Sequence, residues 1–185
     1  MSRKRLDLVL SITGLVMAVV LAIAGALLMW GGHFAKNTVH DQLVAQKISF
    51  GAASTLPANL QSYAGQQVTN GQQAKAYSDL IAEHLTKVAG GKTYSEVSSE
   101  WIAGGSKDAA LAAQRTTLFM GETLRGLLLN AYAFSIFGQI ATIAAWVSFA
   151  AAALLLVLGI LGLAHQRKTP AEAVVLAPER EMVTA

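Results

Sequence analysis

Two long runs without charge constrain this chain more than any other feature. Leu8 to Trp30 spans 23 residues without a charged side chain, and Gly126 to Ala164 spans 39. About 20 apolar residues suffice to cross the hydrocarbon core of a bilayer, so both runs read as transmembrane helices. Arg3, Lys4 and Arg5 ahead of the first run, with Ala24-Gly25-Ala26 near its end, resemble a secretory signal. The apolar region of a signal covers only about 7–15 residues, however, and the longer run predicts a retained anchor. Overall, 54% of residues are apolar and 14% charged, where a soluble domain has roughly a quarter charged. Disorder is excluded by the same numbers. The absence of cysteine removes disulfides, thiolate nucleophiles, iron–sulfur clusters and cysteine zinc sites together.

Flanking cations predict the orientation. Arg3, Lys4 and Arg5 precede the first span and Arg167 and Lys168 follow the second, which places both termini in the cytoplasm. The segment from Gly32 to Gly126 then lies outside, nearly neutral with eight Lys/Arg against seven Asp/Glu. No basic stripe with interleaved aromatics exists there, so no nucleic-acid partner is expected. The expected organisation is a cytoplasmic N-terminus 1–7, a transmembrane helix 8–30, an extracytoplasmic helical domain 31–130, a second transmembrane helix 131–164 and a disordered cytoplasmic tail 165–185.

The outer segment has helical periodicity. Val39, Leu43, Val44 and Ile48 recur at helical spacing between Asn37 and Phe50, predicting that the first helix runs past Trp30, with Gly31-Gly32 as its weak point. Gly51 to Asn70 reads as a loop with one helical turn around Ala58 to Tyr63. A helix is expected over Gln72 to Val88, stopped by Gly90-Gly91. Thr93-Tyr94-Ser95-Glu96 fits a capping box that starts a short helix through Val97, Trp101 and Ile102. Gly104-Gly105 breaks it, and Ser106 is the expected cap of a last helix from about Lys107. Continuous to Ala164, that helix would extend about 87 Å, so its outer third must stand above the bilayer. Leu111, Leu118, Phe119, Leu124 and Leu128 on it are expected to pack against Tyr77, Ile81, Leu85 and Val88.

Four blocks of this sequence, Ala45-Gln46-Lys47-Ile48-Ser49-Phe50, Tyr63-Ala64-Gly65-Gln66-Gln67-Val68, the segment from Ala89 to Val97 and the segment from Gly121 to Ala131, resemble a family of two-span membrane proteins from actinobacteria. The resemblance covers about residues 6–164. It implies the two-span plan, and some members carry a label of aromatic ring-opening dioxygenase. Members often have Pro after the Phe, where this chain has Gly51.

A dioxygenase would need two His and a carboxylate converging on iron, and the outer segment offers His33, His40, His84, Asp41 and Glu83. No close His pair is present. His40 and Asp41 point about 100° apart on a helix, as do Glu83 and His84. His33 and His40 share a face but lie about 10 Å apart along it. Neither a metal nor any other cofactor is expected. Gly90-Gly91-Lys92-Thr93 lacks the first glycine of a phosphate-binding loop, Thr86 standing in its place, and reads as a helix stop before a cap. No Gly-x-Ser-x-Gly elbow supports serine catalysis.

Interaction surfaces are better supported by the residues. Glu122 and Arg125 lie three apart just before the second charge-free run, and read either as a surface ion pair or as a buried contact opened by small Gly121 and Gly126. Asn130 would then hydrogen-bond across helices, with Gln139 the other amide in the run. Neither span holds Asp, Glu, Lys, Arg or His, which argues against proton relays and ion coupling. Gly14, Ala18, Ala22 and Ala26 recur every fourth residue on the first span, and Gly138, Ala141, Ala145, Ser148 and Ala152 make a comparable stripe on the second. Trp30, Tyr132, Phe134 and Phe137 read as interfacial belt aromatics.

The expected fold is all-α, an antiparallel hairpin of two transmembrane helices with a helical extracytoplasmic domain between them. The expected role is that of a structural, accessory or oligomer-forming component of the cell membrane, not an enzyme, associating with itself or another membrane protein. A small homo-oligomeric pore lined by Ser135, Gln139, Thr142 and Ser148 is the alternative, and a metal-dependent dioxygenase a third reading.

Overall fold

The structure, a computed structural model, describes residues 3–168 and Pro170. These are helical: α1 (Arg3–Gln46), α2 (Gly71–Val88), α3 (Tyr94–Ala103) and α4 (Ala109–Lys168), with 3-10 turns at Ala53–Thr55 and Ala58–Tyr63. Among the described residues, strand pairing is limited to one bridge between Ser49 and Gln67. α1 and α4 are each long and apolar enough to cross a membrane. α4 runs on through Arg167 and Lys168, and apart from Pro170 the rest of the expected tail lies outside the described residues. The chain forms two compact units: residues up to Trp30 with those from Ala141, and Gly31–Ile140.

In the first unit the helices meet on small side chains spaced seven apart. Ser11, Ala18 and Gly25 of α1 are buried, as are Ala145, Ala152 and Gly159 of α4. A Cβ at Gly25 would fall 2.8 Å from the Phe149 ring and one at Gly159 would fall 2.8 Å from Leu15, while one at Gly162 would meet the Ser11 hydroxyl. Gly14 is half-buried over the Leu155 carbonyl, but Ala22 and Ala26 are exposed, so the every-fourth stripe expected on α1 does not follow this contact. Helical geometry gives the reason. A step of four residues overshoots a full turn by about 40° and leaves the face after three steps, whereas seven residues fall only about 20° short of two turns. On α4 the spacing alternates three and four, and Ala141, Ala145, Ser148 and Ala152 are buried or half-buried.

The second unit is built around Phe50. α1 runs past Trp30 and stops at Gln46, because Lys47 turns left-handed (φ 53°) and ends the ladder. The chain then runs extended, with Val68 N–H donating to Ile48 O at 2.8 Å and Phe50 N–H to Gln66 O at 2.9 Å. Gln67 Nε2 donates to the Val44 carbonyl in the last turn of α1, which also accepts from Lys47 N–H. These pairings hold Phe50 against Tyr63 (ring centroids 5.1 Å, stacked) and edge-on to Tyr77 (5.2 Å). Val39, Leu43, Leu60, Val68, Ala74 and Leu128 complete that core. Ile81 links it to a second cluster of Leu85, Ala89, Val97 and Leu118. Of the residues expected to pack there, Val88, Phe119 and Leu124 are instead exposed.

The helix ends show which local signals operate. Asn70 caps α2 by accepting from Gln73 N–H, and Gly90 and Gly91 follow it at φ 60° and 83°. Thr93 and Glu96 form the expected capping box on α3. α4 begins at Ala109, and its cap is Asp108, whose carboxylate accepts from Ala110 and Leu111 N–H at 2.8 and 3.1 Å. Ser106, the expected cap, instead occupies a left-handed turn at φ 59°. An ionised carboxylate outcompetes a hydroxyl for the positive end of a helix.

Candidate functional site

The block around Glu122 on α4 lies in the second unit, and its residues face different ways. Arg125 Nη1 donates to Glu122 Oε2 at 3.0 Å, with side chains 34% and 47% exposed. That is a partly solvated pair, worth about 0–1 kcal/mol. Gly121 accepts the Leu85 side chain of α2, whose Cδ2 would lie 2.5 Å from an added Cβ, whereas Gly126 has open space around it. Gly121 therefore serves the packing of α2 on α4. Asn130 and Gln139 are exposed and open onto two different depressions.

The first depression, about 470 Å³, lies between the end of α1 and α4 and is walled by Leu43, Gln46, Leu124, Leu127, Asn130 and Phe134. It is apolar with an amide rim and carries no ionisable group. The second, about 340 Å³, is polar and is lined by Lys36, Asn37, His40, Asn70, Gly71 and Gln139. Tight packing creates it. A Cβ at Gly71 would meet Ser135 and would fall 3.3 Å from Tyr132 Cα, so only glycine lets the start of α2 approach α4 this closely. Nearby, a Cβ at Gly138 would lie 3.0 Å from Gly32 O and 3.3 Å from Ala35 Cβ. Of the Gly31-Gly32 pair, expected as a weak point, Gly32 thus lies at a close helix contact within continuous helix, while Gly31 has open space around it. In the first unit, a further cavity of about 510 Å³ is lined by Asp7, Ser11, Gly159, Gly162 and His165.

The histidines do not converge. His40 Nδ1–H donates to the Thr69 carbonyl at 3.0 Å, tying α1 to the residue before the α2 cap. Among the described residues no three of His, Cys, Asp and Glu come together as metal ligands would. Lys92, the cation of the Gly-Gly-Lys-Thr segment, pairs with Glu100 at 2.7 Å. Of the four polar residues suggested for a pore lining, Ser135 is buried against Gly71, Thr142 and Ser148 are half-buried, and Gln139 is exposed.

No family model, no curated protein and no solved structure matches this chain. The site therefore rests on its own geometry.

Two groupings escaped the reading of the sequence. Lys36 and His40 share a face of α1 and are brought beside Asn70 and Gln139 by the Gly71 contact; the sequence signal was a cation and a histidine four apart, six residues beyond the first charge-free run. Tyr94, Ser98, Trp101 and Arg115 gather where α3 meets α4. The Arg115 guanidinium beside it holds the Tyr94 phenol below the usual tyrosine range. The same guanidinium sits 4.5 Å over the Trp101 ring, and Tyr94 lies 5.9 Å from Phe119. This arrangement clamps the short α3 onto α4 by cation–π contact.

Proposed function

We propose that this chain is a two-span membrane protein that works by association, pairing with a second copy through the outer part of α4. The contacts of Ser11 with Gly162 and of Phe149 with Gly25 support an antiparallel hairpin, and the cations at Arg3, Lys4, Arg5, Arg167 and Lys168 favour cytoplasmic termini. Outward-facing Val16, Leu27, Ile143, Trp146 and Leu154 suit helices whose solvent is lipid. Lys36, beside Gly138, supports a second span that begins near Gly138 rather than at Ala131, because a charge belongs at the interface.

One observation carries the association. On that placement, α4 residues 126–137, about 18 Å of helix, stand outside the membrane beside the hydrophilic end of α1. Met120, Leu127, Phe134 and Phe137 nonetheless remain 65%, 64%, 53% and 65% exposed. Met120, Leu127 and Phe134 are seven apart, with exposed Thr123 and Asn130 and then Phe137 at the alternate positions. A seven-residue seam is self-complementary across a two-fold axis, and a polar residue within it sets register. Asn130 takes that place. Fully burying such side chains stabilises by roughly 1.5–3 kcal/mol each, and confinement to a bilayer lowers the cost of meeting.

Native mass spectrometry of the full chain in mild detergent tests this. The wild type is expected as a dimer and Leu127→Glu/Phe134→Glu as a monomer with unchanged helicity, while Lys75→Glu remains dimeric. A monomeric wild type, or a complex with another protein only, would overturn self-pairing. Topology is tested separately: Ser62→Cys in this cysteine-free chain should react with a membrane-impermeant thiol reagent in intact cells.

A further inference from the structure

The polar depression of the second unit has the composition of an anion site. Lys36 has no ion pair, and Asn37 and Gln139 make no hydrogen bond, among the described residues; no carboxylate lines the space. Gly71 opens α2 into it. The first bond of that helix runs from Ala74 N–H to Asn70 O and Asn70 Oδ1 takes Gln73 N–H, so the amides of Gly71 and Gln72 precede the ladder. The first turn of α2 holds no acidic residue to offset its positive end. His40 Nδ1 is committed to Thr69 O, which turns the ring and fixes Nε2 as its remaining polar atom.

We infer that this pocket binds a phosphate group, with Lys36 supplying the charge and Asn37, Gln139 and the start of α2 supplying neutral donors. A monoester or diester offers the several acceptor oxygens that such a convergent set of donors matches. The volume of about 340 Å³ admits a phosphate with its glycerol or similar stub. Lys36 lies six residues beyond Trp30, where the first charge-free run ends, so a lipid headgroup of the outer leaflet is within reach; this placement, though not the pocket, rests on the two-span reading. The pocket exists because Gly71 lets α2 touch α4, and it would open if α2 were pushed away.

The test uses the full chain in mild detergent, probed by inorganic phosphate, by glycerol 3-phosphate and by mixed micelles of phosphatidylglycerol or of uncharged diacylglycerol. Thermal shift and native mass spectrometry read binding. Wild type should retain phosphatidylglycerol over diacylglycerol, and Lys36→Gln should bind about ten- to a hundredfold more weakly, as loss of a charged hydrogen bond implies. Lys36→Arg should keep most affinity, and Lys87→Gln, an exposed cation elsewhere, should match the wild type. Retention of phosphatidylglycerol without response to the soluble phosphates assigns the pocket to a lipid headgroup; response to all three assigns it to phosphate from either source. No binding of any probe, or equal binding by wild type and Lys36→Gln when both show the same helicity, overturns the site. Because the soluble probes act without a bilayer, their result is independent of whether the spans cross one.

Discussion

The contact between Leu85 of α2 and Gly121 of α4 offers a test in which a sign, not only a size, is at stake. Leu85 is 4% exposed, and its Cδ2, Cδ1 and Cγ would stand 2.5, 2.8 and 3.0 Å from a Cβ at position 121. Leu85→Ala removes those three atoms from a packed cluster with Ala89, Val97 and Leu118, and should cost about 2–5 kcal/mol. Gly121→Ala improves helix propensity by about 1 kcal/mol but crowds Leu85, an overpacking cost of about 1–3, so the single change should be neutral or destabilising. In the Leu85→Ala background the crowding atoms are gone and the new methyl enters the space they left. There Gly121→Ala should stabilise by about 1 kcal/mol, a coupling of about 1–3 kcal/mol between the sites. Thermal melts of purified protein in detergent, followed by circular dichroism, would resolve it, since 1 kcal/mol moves the midpoint of a unit this size by about 4–8 °C. Equal shifts from Gly121→Ala in both backgrounds would mean that the glycine is not where α2 rests on α4.

Glu122→Ala and Arg125→Ala should each change stability by less than about 1 kcal/mol, and the double variant should match either single, because the pair is partly solvated; a loss of several kcal/mol on removing one partner would show that the contact is buried in the working assembly. The box on α3 gives a pH dependence. The Thr93 amide and hydroxyl hold Glu96 below its ordinary value of 4.5, so its contribution is present above that value and is lost as pH falls through the lowered one. The melting-temperature gap between wild type and Glu96→Ala should therefore stay constant from neutrality to about pH 5 and narrow at more acid pH. A gap unaffected by acid would exclude the carboxylate as its source.

How much of this architecture was legible beforehand depended on the range of the forces involved. The two membrane-length helices followed from uninterrupted apolar runs, since hydrophobicity and length alone decide whether a helix can span. The Thr93–Glu96 box and the glycine stops of α2 and α3 were equally local, whereas Asn70, read only as the end of a loop, proved to be the cap of α2. Local signals left the end of α1 open and misjudged the start of α4. Lys47 breaks α1 because residues 48–50 gain partners at 66–68, and Asp108 displaced Ser106 as cap because the turn at Gly104-Gly105 runs longer than the dipeptide suggests.

What only tertiary structure decided is which face of each helix meets a neighbour. In the first unit the small residues of α1 looked equivalent at spacing four, and packing against α4 selected Ser11, Ala18 and Gly25 over Ala22 and Ala26, because a seven-residue step keeps to one face of a helix. Leu118 and Phe119, adjacent in sequence and similarly apolar, ended buried and exposed for the same angular reason. The polar pocket was the least legible feature. Lys36, His40, Asn70 and Gln139 come from three elements, and they converge because Gly71 has no side chain to hold α2 away from Ser135. Composition determined which solvent the long helices of this chain can tolerate, through the transfer energy of each residue taken separately. The places where polar groups gather were determined by close packing, which depends on atoms that lie far apart along the chain.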